Sequence, residues 1–264
     1  MDLGIAGRTA IVGGSSKGMG RETALNLAKE GANVVICARR GDILAQTATE
    51  LGKLTSPSQI LPVVTDLSRF DDIKRLMNIV ENHWGNVDIL VNNVGGPPPG
   101  LAKDMTDEEW HDGMELSFYS AVRLSHLALP GMRKRGWGRI INILSMAIKE
   151  PEDNLAISTV ARTAVAAYAK ILSLELASEG ITVNNVLPGS IETERLELVA
   201  RMQADFHNRN PAKGMEERLS HIAAGRFGKP EEMADLISFL ASERAGFITG
   251  TSILIDGGQI RAMT

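Results

Sequence analysis

Cysteine is nearly absent, with one in 264 residues. A single thiol closes no internal disulfide, and a chain of this length can bury roughly 70–75% of its unfolded surface without a staple. Cys37 lies in the apolar run ANVVICA, where a buried, inert thiol is expected. An excess of positive charge is also missing: 28 Lys and Arg face 32 Asp and Glu, a net charge of −4. Nucleic acids and anionic membranes both call for a basic face, so neither is an expected partner. The start of the chain has no basic segment ahead of an apolar stretch, and no run reaches the roughly 18 apolar residues that span a bilayer. These absences place the chain in the reducing cytoplasm as a soluble protein. The five histidines never pair at i, i+4 or beside the cysteine, so no metal site is expected. There is no internal repeat and no low-complexity linker.

What is present is an alternation. TAIVGG, ANVVICA, QILPVV, VDILVNN, GRIINIL, ITVNNVL and TSILIDGG are short, apolar and rich in β-branched residues. Strands buried on both faces read this way, and spacers of about 15–40 residues are long enough for crossover helices. The expected fold is α/β: a single-domain, doubly wound parallel sheet, Rossmann-like, over residues 1–264 with helices on both faces. In GRETALNLAKEG, Ala24, Leu25, Leu27 and Ala28 share a face, and Gly31 ends the helix. In SRFDDIKRLMNIVENHWG, Ser68 is the expected N-cap, with Ile73, Leu76, Met77 and Val80 at helical spacing. The helix after Asn154 is long, alanine-rich and apolar on more than one face, which suits burial against the sheet and against another subunit. A charged, helix-rich insertion at about 190–225 reads as a lid over a site.

After the first strand comes GGSSKGMGRETA, with Gly14, Gly18 and Gly20 in the spacing G-x-x-x-G-x-G around Ser16, Lys17 and Met19. Glycines there turn the backbone tightly and bring amides close to a pyrophosphate at the start of a helix. The end of the second strand selects the cofactor. An acid there would accept from a ribose 2′-hydroxyl, but the chain carries Ala38, Arg39 and Arg40. Arg39 and Arg40, with Lys17 from the glycine loop, suit a 2′-phosphate and hence NADP(H). The plainer reading makes all three solvated surface cations.

Further along, Asp66-Leu67, Asn92-Asn93-Val94-Gly95, Pro188-Gly189-Ser190-Ile191-Glu192-Thr193 and RFGKPEEMADLISFLASERAGFITGTSILIDGG complete a pattern over residues 5–258. It resembles the short-chain dehydrogenase/reductase family, close to its 3-oxoacyl-carrier-protein reductase branch. The resemblance implies that Asp66 and Leu67 contact the adenine, that Asn92, Asn93 and Gly95 flank the cofactor, and that Pro188, Gly189, Ile191 and Thr193 hold its nicotinamide end. It also implies a homotetramer and a small-molecule substrate. Gly13 stands where that family usually has threonine.

The family's catalytic set is asparagine, serine, tyrosine and lysine, and here the pattern breaks. Ser145 fills the serine position, but Ser158 stands for the tyrosine, Arg162 for the lysine and Ser117 for the asparagine. A serine hydroxyl is a far poorer acid than a phenol, and arginine stays charged without shuttling a proton. Arg162 can still supply fixed charge to a developing alkoxide. Glu150, Glu152, Asp153 and His207 are the candidate replacement acids, each equally readable as a solvated loop residue. Tyr168 lies about 15 Å along the helix from Ser158, too far to substitute.

Two functions from different classes follow. The first is an NADP(H)-dependent oxidoreductase acting on a small carbonyl or alcohol. The second is a cofactor-binding protein without redox activity, a structural or regulatory partner in an oligomer. A lyase or isomerase on the same scaffold is the third reading.

Overall fold

The computed structural model describes residues 1–206 and 210–262. In chain order it has β1 (Thr9–Val12), α1 (Gly18–Lys29), β2 (Asn33–Ala38), α2 (Gly41–Leu54), β3 (Ile60–Val64), α3 (Phe70–Trp84) and β4 (Ile89–Asn92). There follow α4 (Asp107–Met114), a π-helical turn (Glu115–Tyr119), α5 (Ser120–Arg135), β5 (Gly138–Ile143), α6 (Ala156–Leu176) and β6 (Ile181–Pro188). The chain closes with α7 (Glu194–Phe206), α8 (Pro211–Ser220), α9 (Pro230–Leu240) and β7 (Ser252–Ile255).

The strands form one parallel sheet in the order β3-β2-β1-β4-β5-β6-β7. Their alternation divides the core in two. Ala10, Val12, Val34 and Ile36 face α1, α2 and α9, while Ile11, Val35 and Cys37 face α3, α5 and α6. Burial on both sides is why these runs are apolar throughout rather than alternating. The chain winds outward from β1 to β3, then returns to place β4 on the other side of β1. That reversal opens a crevice at the carboxyl ends of β1 and β4, where doubly wound sheets hold their ligands.

The strand and helix assignments read from apolar pattern all appear, and Gly31 ends α1 with φ 86°. One cap does not. Ser68 is not the N-cap of α3, which is Arg69 without a side-chain cap. Asp66 takes Ser68 for itself, its Oδ1 accepting from the Ser68 amide at 3.0 Å and hydroxyl at 2.7 Å. An Asx-type turn therefore outcompetes the expected cap.

Candidate active site

A cleft of about 680 Å³ runs along the carboxyl edge of the sheet. Gly14, Lys17, Gly18, Met19 and Gly20 line one end, with Asn93 and Gly95 beside them. Ser145, Ser158 and Arg162 line the other, and Pro188, Gly189, Ile191 and Thr193 connect the two. The insertion stands against the same space, with Arg195, Leu196 and Val199 from α7 and Arg218 from α8.

The glycine end is built by close approach. A Cβ on Gly13 would sit 2.4 Å from the Asn93 carbonyl oxygen, and one on Gly20 would sit 2.6 Å from the carbonyl of Gly14. Asn93 Nδ2 in turn donates to the Gly13 carbonyl at 3.0 Å, fixing the loop to the end of β4. Position 13, where a threonine is usual, thus has no room for a side chain in this packing. Ser16 gives its carbonyl to Thr47 Oγ1 at 2.8 Å, and Ser15 Oγ receives the Cys37 amide at 2.9 Å, so the loop is tied to α2 and β2. Burial pushes the Cys37 thiol up to about 12. Ala38 and the buried Leu67 stand at the ends of β2 and β3, where the adenosine half of a dinucleotide would lie. Asp66 gives one carboxylate oxygen to Ser68.

The three cations behave differently. Lys17 Nζ is 2.8 Å from Glu194 Oε1, and Arg40 pairs with Asp42 at 3.2 Å. Both pairs are exposed, and such contacts are worth at most about 1 kcal/mol, so a phosphate can compete for either cation. Arg39 is exposed and forms no ion pair among the described residues.

At the other end Ser145 follows β5 and caps a short 3₁₀ turn, its Oγ accepting from the Ala147 amide at 3.1 Å. Arg162, one turn along α6 from Ser158, donates Nε to Ser158 Oγ at 3.1 Å and Nη1 to the Ile143 carbonyl at 3.1 Å. Burial first, and the charge of Arg195 second, lower the Arg162 guanidinium to about 10, which leaves it charged at neutral pH. The acceptor capacity of both serines is thus partly filled by protein N–H groups, while their own protons remain to be donated. Two hydroxyl donors and a fixed positive charge line one cavity. That is an arrangement for holding a negatively charged oxygen.

Ser117 is not with them. It is buried in the π turn, its Oγ has no hydrogen-bond partner among the described residues, and it lines a small void of about 10 Å³ with Asn92 and Arg162, adjoining the cleft. Asn92 belongs to a feature that sequence reasoning missed. Its Nδ2 donates to Asn142 Oδ1 at 2.8 Å, Asn142 Nδ2 to Asn185 Oδ1 at 2.9 Å, and Asn185 Nδ2 to Ser252 Oγ at 3.1 Å. This polar ladder crosses four strands beneath the cleft.

Among the candidate acids, Glu152 lines the cleft but is paired to Arg218 at 2.6 Å. Glu150 and Asp153 line a neighbouring cavity, and His207 lies outside the described residues. Tyr168 packs beside Phe118 and Ser125, where burial raises its phenol. Arg195 and Arg218 were also missed. Arg195 follows Thr193 by two residues, and that adjacency was the available signal.

The glycine cradle, the crevice at the strand reversal and the donor cluster define a dinucleotide-dependent enzyme site. A family model described as enoyl-(acyl carrier protein) reductase matches residues 14–259, and the chain belongs to the short-chain dehydrogenase/reductase family. It is 34% identical over 252 residues to the 3-oxoacyl-[acyl-carrier-protein] reductase of Haemophilus influenzae, covering 96% of this chain and 98% of that one. Among solved structures it is similar to L-sorbose reductase from Gluconobacter frateurii complexed with NADPH and L-sorbose, with TM-score 0.92, 33% identity and complete coverage of both chains. It is also similar to YwfH, an NADPH-dependent reductase involved in bacilysin biosynthesis, with TM-score 0.92 and 30% identity over 98% of this chain and 100% of that one.

Proposed function

We propose that the chain is an NADP(H)-dependent oxidoreductase of a small carbonyl or alcohol substrate, in which fixed charge and hydroxyl donation replace a phenolic acid. The observation that carries this reading is the bond from Arg162 Nε to Ser158 Oγ, made in the cleft that the glycine loop also lines. The bound reduced dinucleotide would supply hydride to the carbonyl carbon. Gly14, Gly18 and Gly20 offer its pyrophosphate a close backbone approach, and Arg39 offers its 2′-phosphate an unspent guanidinium. Asp66, Leu67, Asn93 and Gly95 flank it, and Ile191 and Thr193 stand at the nicotinamide end.

Ser145 and Ser158 donate hydrogen bonds to the carbonyl oxygen, and Arg162 stabilises the charge that grows there as hydride arrives. Neither step needs a side chain that gives up its proton. Water reaching the open cleft supplies the proton that completes the alcohol. The insertion of α7 and α8 acts as a lid, the protein works in the cytoplasm, and it assembles as a homotetramer through α6.

The test is oxidation of NADPH, and separately of NADH, against a panel of ketones, aldehydes and oxo acids, with cofactor affinity measured in parallel by nucleotide fluorescence. Turnover that prefers NADPH is expected. Tight NADPH binding with no turnover on any panel member would replace this reading with that of a redox-silent cofactor binder, which the joint loss of tyrosine, lysine and helix asparagine favours.

A further inference from the structure

Four arginines line the cleft, and they are not alike: Arg21 is held by Glu22 and Glu50. Arg218 has its carboxylate: its Nη2 lies 2.6 Å from both Glu152 Oε2 and Gln203 Oε1, its Nη1 donates to Ser190 Oγ at 3.2 Å, and only its buried Nε is without a partner among the described residues. Arg162 has used two donors, on Ser158 and on the Ile143 carbonyl. Arg195, in the first turn of α7, uses only one among the described residues, Nη2 to the Pro97 carbonyl at 3.2 Å. Its guanidinium reaches across to the loop after β4, where a Cβ on Gly96 would come within 2.6 Å of Nη2.

Neither Arg162 nor Arg195 has a carboxylate partner among the described residues, although the cleft does not lack acids. Glu194 is held by Lys17, Glu22 by Arg21 and Glu152 by Arg218. Glu192 and Glu231 line the cleft without bonding either guanidinium. Burial disfavours the charge on both arginines, and the charge of Arg195 adds to the cost for Arg162. Two like charges, partly desolvated and close enough to repel, are expensive to keep without a counter-ion. A guanidinium with free N–H groups presents a fork that fits a carboxylate in bidentate fashion. The counter-charge that the chain withholds is one a ligand can bring.

We propose that Arg195 binds a carboxylate on the substrate, so that the molecule reduced beside Ser145, Ser158 and Arg162 is an oxo acid rather than a neutral ketone, sugar or thioester. This rests on the reading that the cleft holds the reacting carbonyl. The other anion that enters the cleft is the cofactor's own pyrophosphate, and the experiment separates the two.

The complex with NADP⁺ is titrated calorimetrically with 2-oxobutyrate, acetoacetate and 4-oxopentanoate, and with the methyl ester of each. The acid is expected to bind at least tenfold tighter than its ester at one or more of the three lengths. Arg195→Gln should abolish that preference, Arg195→Lys should keep part of it, and NADPH affinity should stay within twofold in both. Esters that bind as tightly as acids at every length overturn the proposal, as does an acid preference that survives Arg195→Gln. A tenfold loss of NADPH affinity in Arg195→Gln, with the acid-to-ester ratio unchanged, assigns Arg195 to the pyrophosphate and likewise overturns it. Because binding is read without turnover, acids that bind through Arg195 while no member of the carbonyl panel is reduced refute the oxidoreductase reading and leave the carboxylate site standing; acids that bind but stay unreduced while neutral ketones turn over overturn the proposal.

Discussion

A guanidinium that donates to a hydroxyl oxygen leaves the hydroxyl's own proton to point elsewhere. At Arg162 and Ser158 that small fact replaces an acid by a donor, and it makes a measurable difference with pH. The folded-state pKa of Arg162 lies below the ordinary guanidinium range, at about 10, because burial and Arg195 both favour the neutral form. Its charge is complete at neutral pH and is lost as pH rises through about 10, so the rate should fall on that alkaline limb with no counterpart on the acid side. Arg162→Ala should lower kcat/KM by about 10²–10³, the scale of one lost oxyanion donor, and should erase the alkaline limb. Steady-state kinetics from pH 6 to 10.5 checks both, and an unchanged profile in the variant would remove Arg162 from the site. At this scale the sequence was informative about identity and silent about contact. Ser145, Ser158 and Arg162 are singled out through the family resemblance, but that Arg162 bonds Ser158 depends on which way one helical turn faces. Lys17 shows the converse: its charge was legible, while its partner Glu194 lies 177 positions away.

Among the elements, the strands explain themselves, and the rungs between them do not. Each apolar run marked a strand, yet the asparagine ladder exists only because Asn92, Asn142 and Asn185 fall in register across β4, β5 and β6, with Ser252 of β7 next in line. Register between strands tens of residues apart is set by the packing of the whole sheet, so no local pattern carries it. The ladder pairs amides in an otherwise apolar layer, leaving Asn92 Oδ1 without a partner among the described residues, and its central member Asn142 is the most exposed to mutation. Asn142→Leu leaves Asn185 Oδ1 without its donor and Asn92 Nδ2 with only its 3.4 Å bond to Ser125 Oγ, which should cost about 2–4 kcal/mol. Urea unfolding should show the midpoint falling with the m value unchanged. The π turn is a second feature beyond reach of pattern. Counting along the chain finds Ser117, but not that it lies in a widened turn and faces a small void beside the cleft.

The whole molecule leaves one face of α6 unclaimed. Val160, Ile171 and Leu174 are 48%, 58% and 72% exposed along a single stripe of that helix, and Tyr119 is exposed in the π turn nearby. Apolar residues in such a row suit a partner surface rather than water. Ile171→Glu with Leu174→Glu should convert a tetramer into smaller species in sedimentation velocity, with the far-ultraviolet dichroism retained; a wild-type monomer at micromolar concentration would refute the assembly. The sheet also has a history in time. It contains no hairpin: the nearest paired strands, β1 and β2, join residues 24 apart, Thr9 with Asn33, while β1 and β4 join Ala10 with Ile89, 79 apart. Loop closure makes the second pairing about 1 kcal/mol costlier in entropy than the first. During folding the β1–β2 ladder is therefore the cheap one and the β1–β4 ladder the dear one, and it is the latter that opens the crevice. The pairing that makes the crevice is thus the costlier one to close, and a ligand held there would favour the chain with that ladder complete.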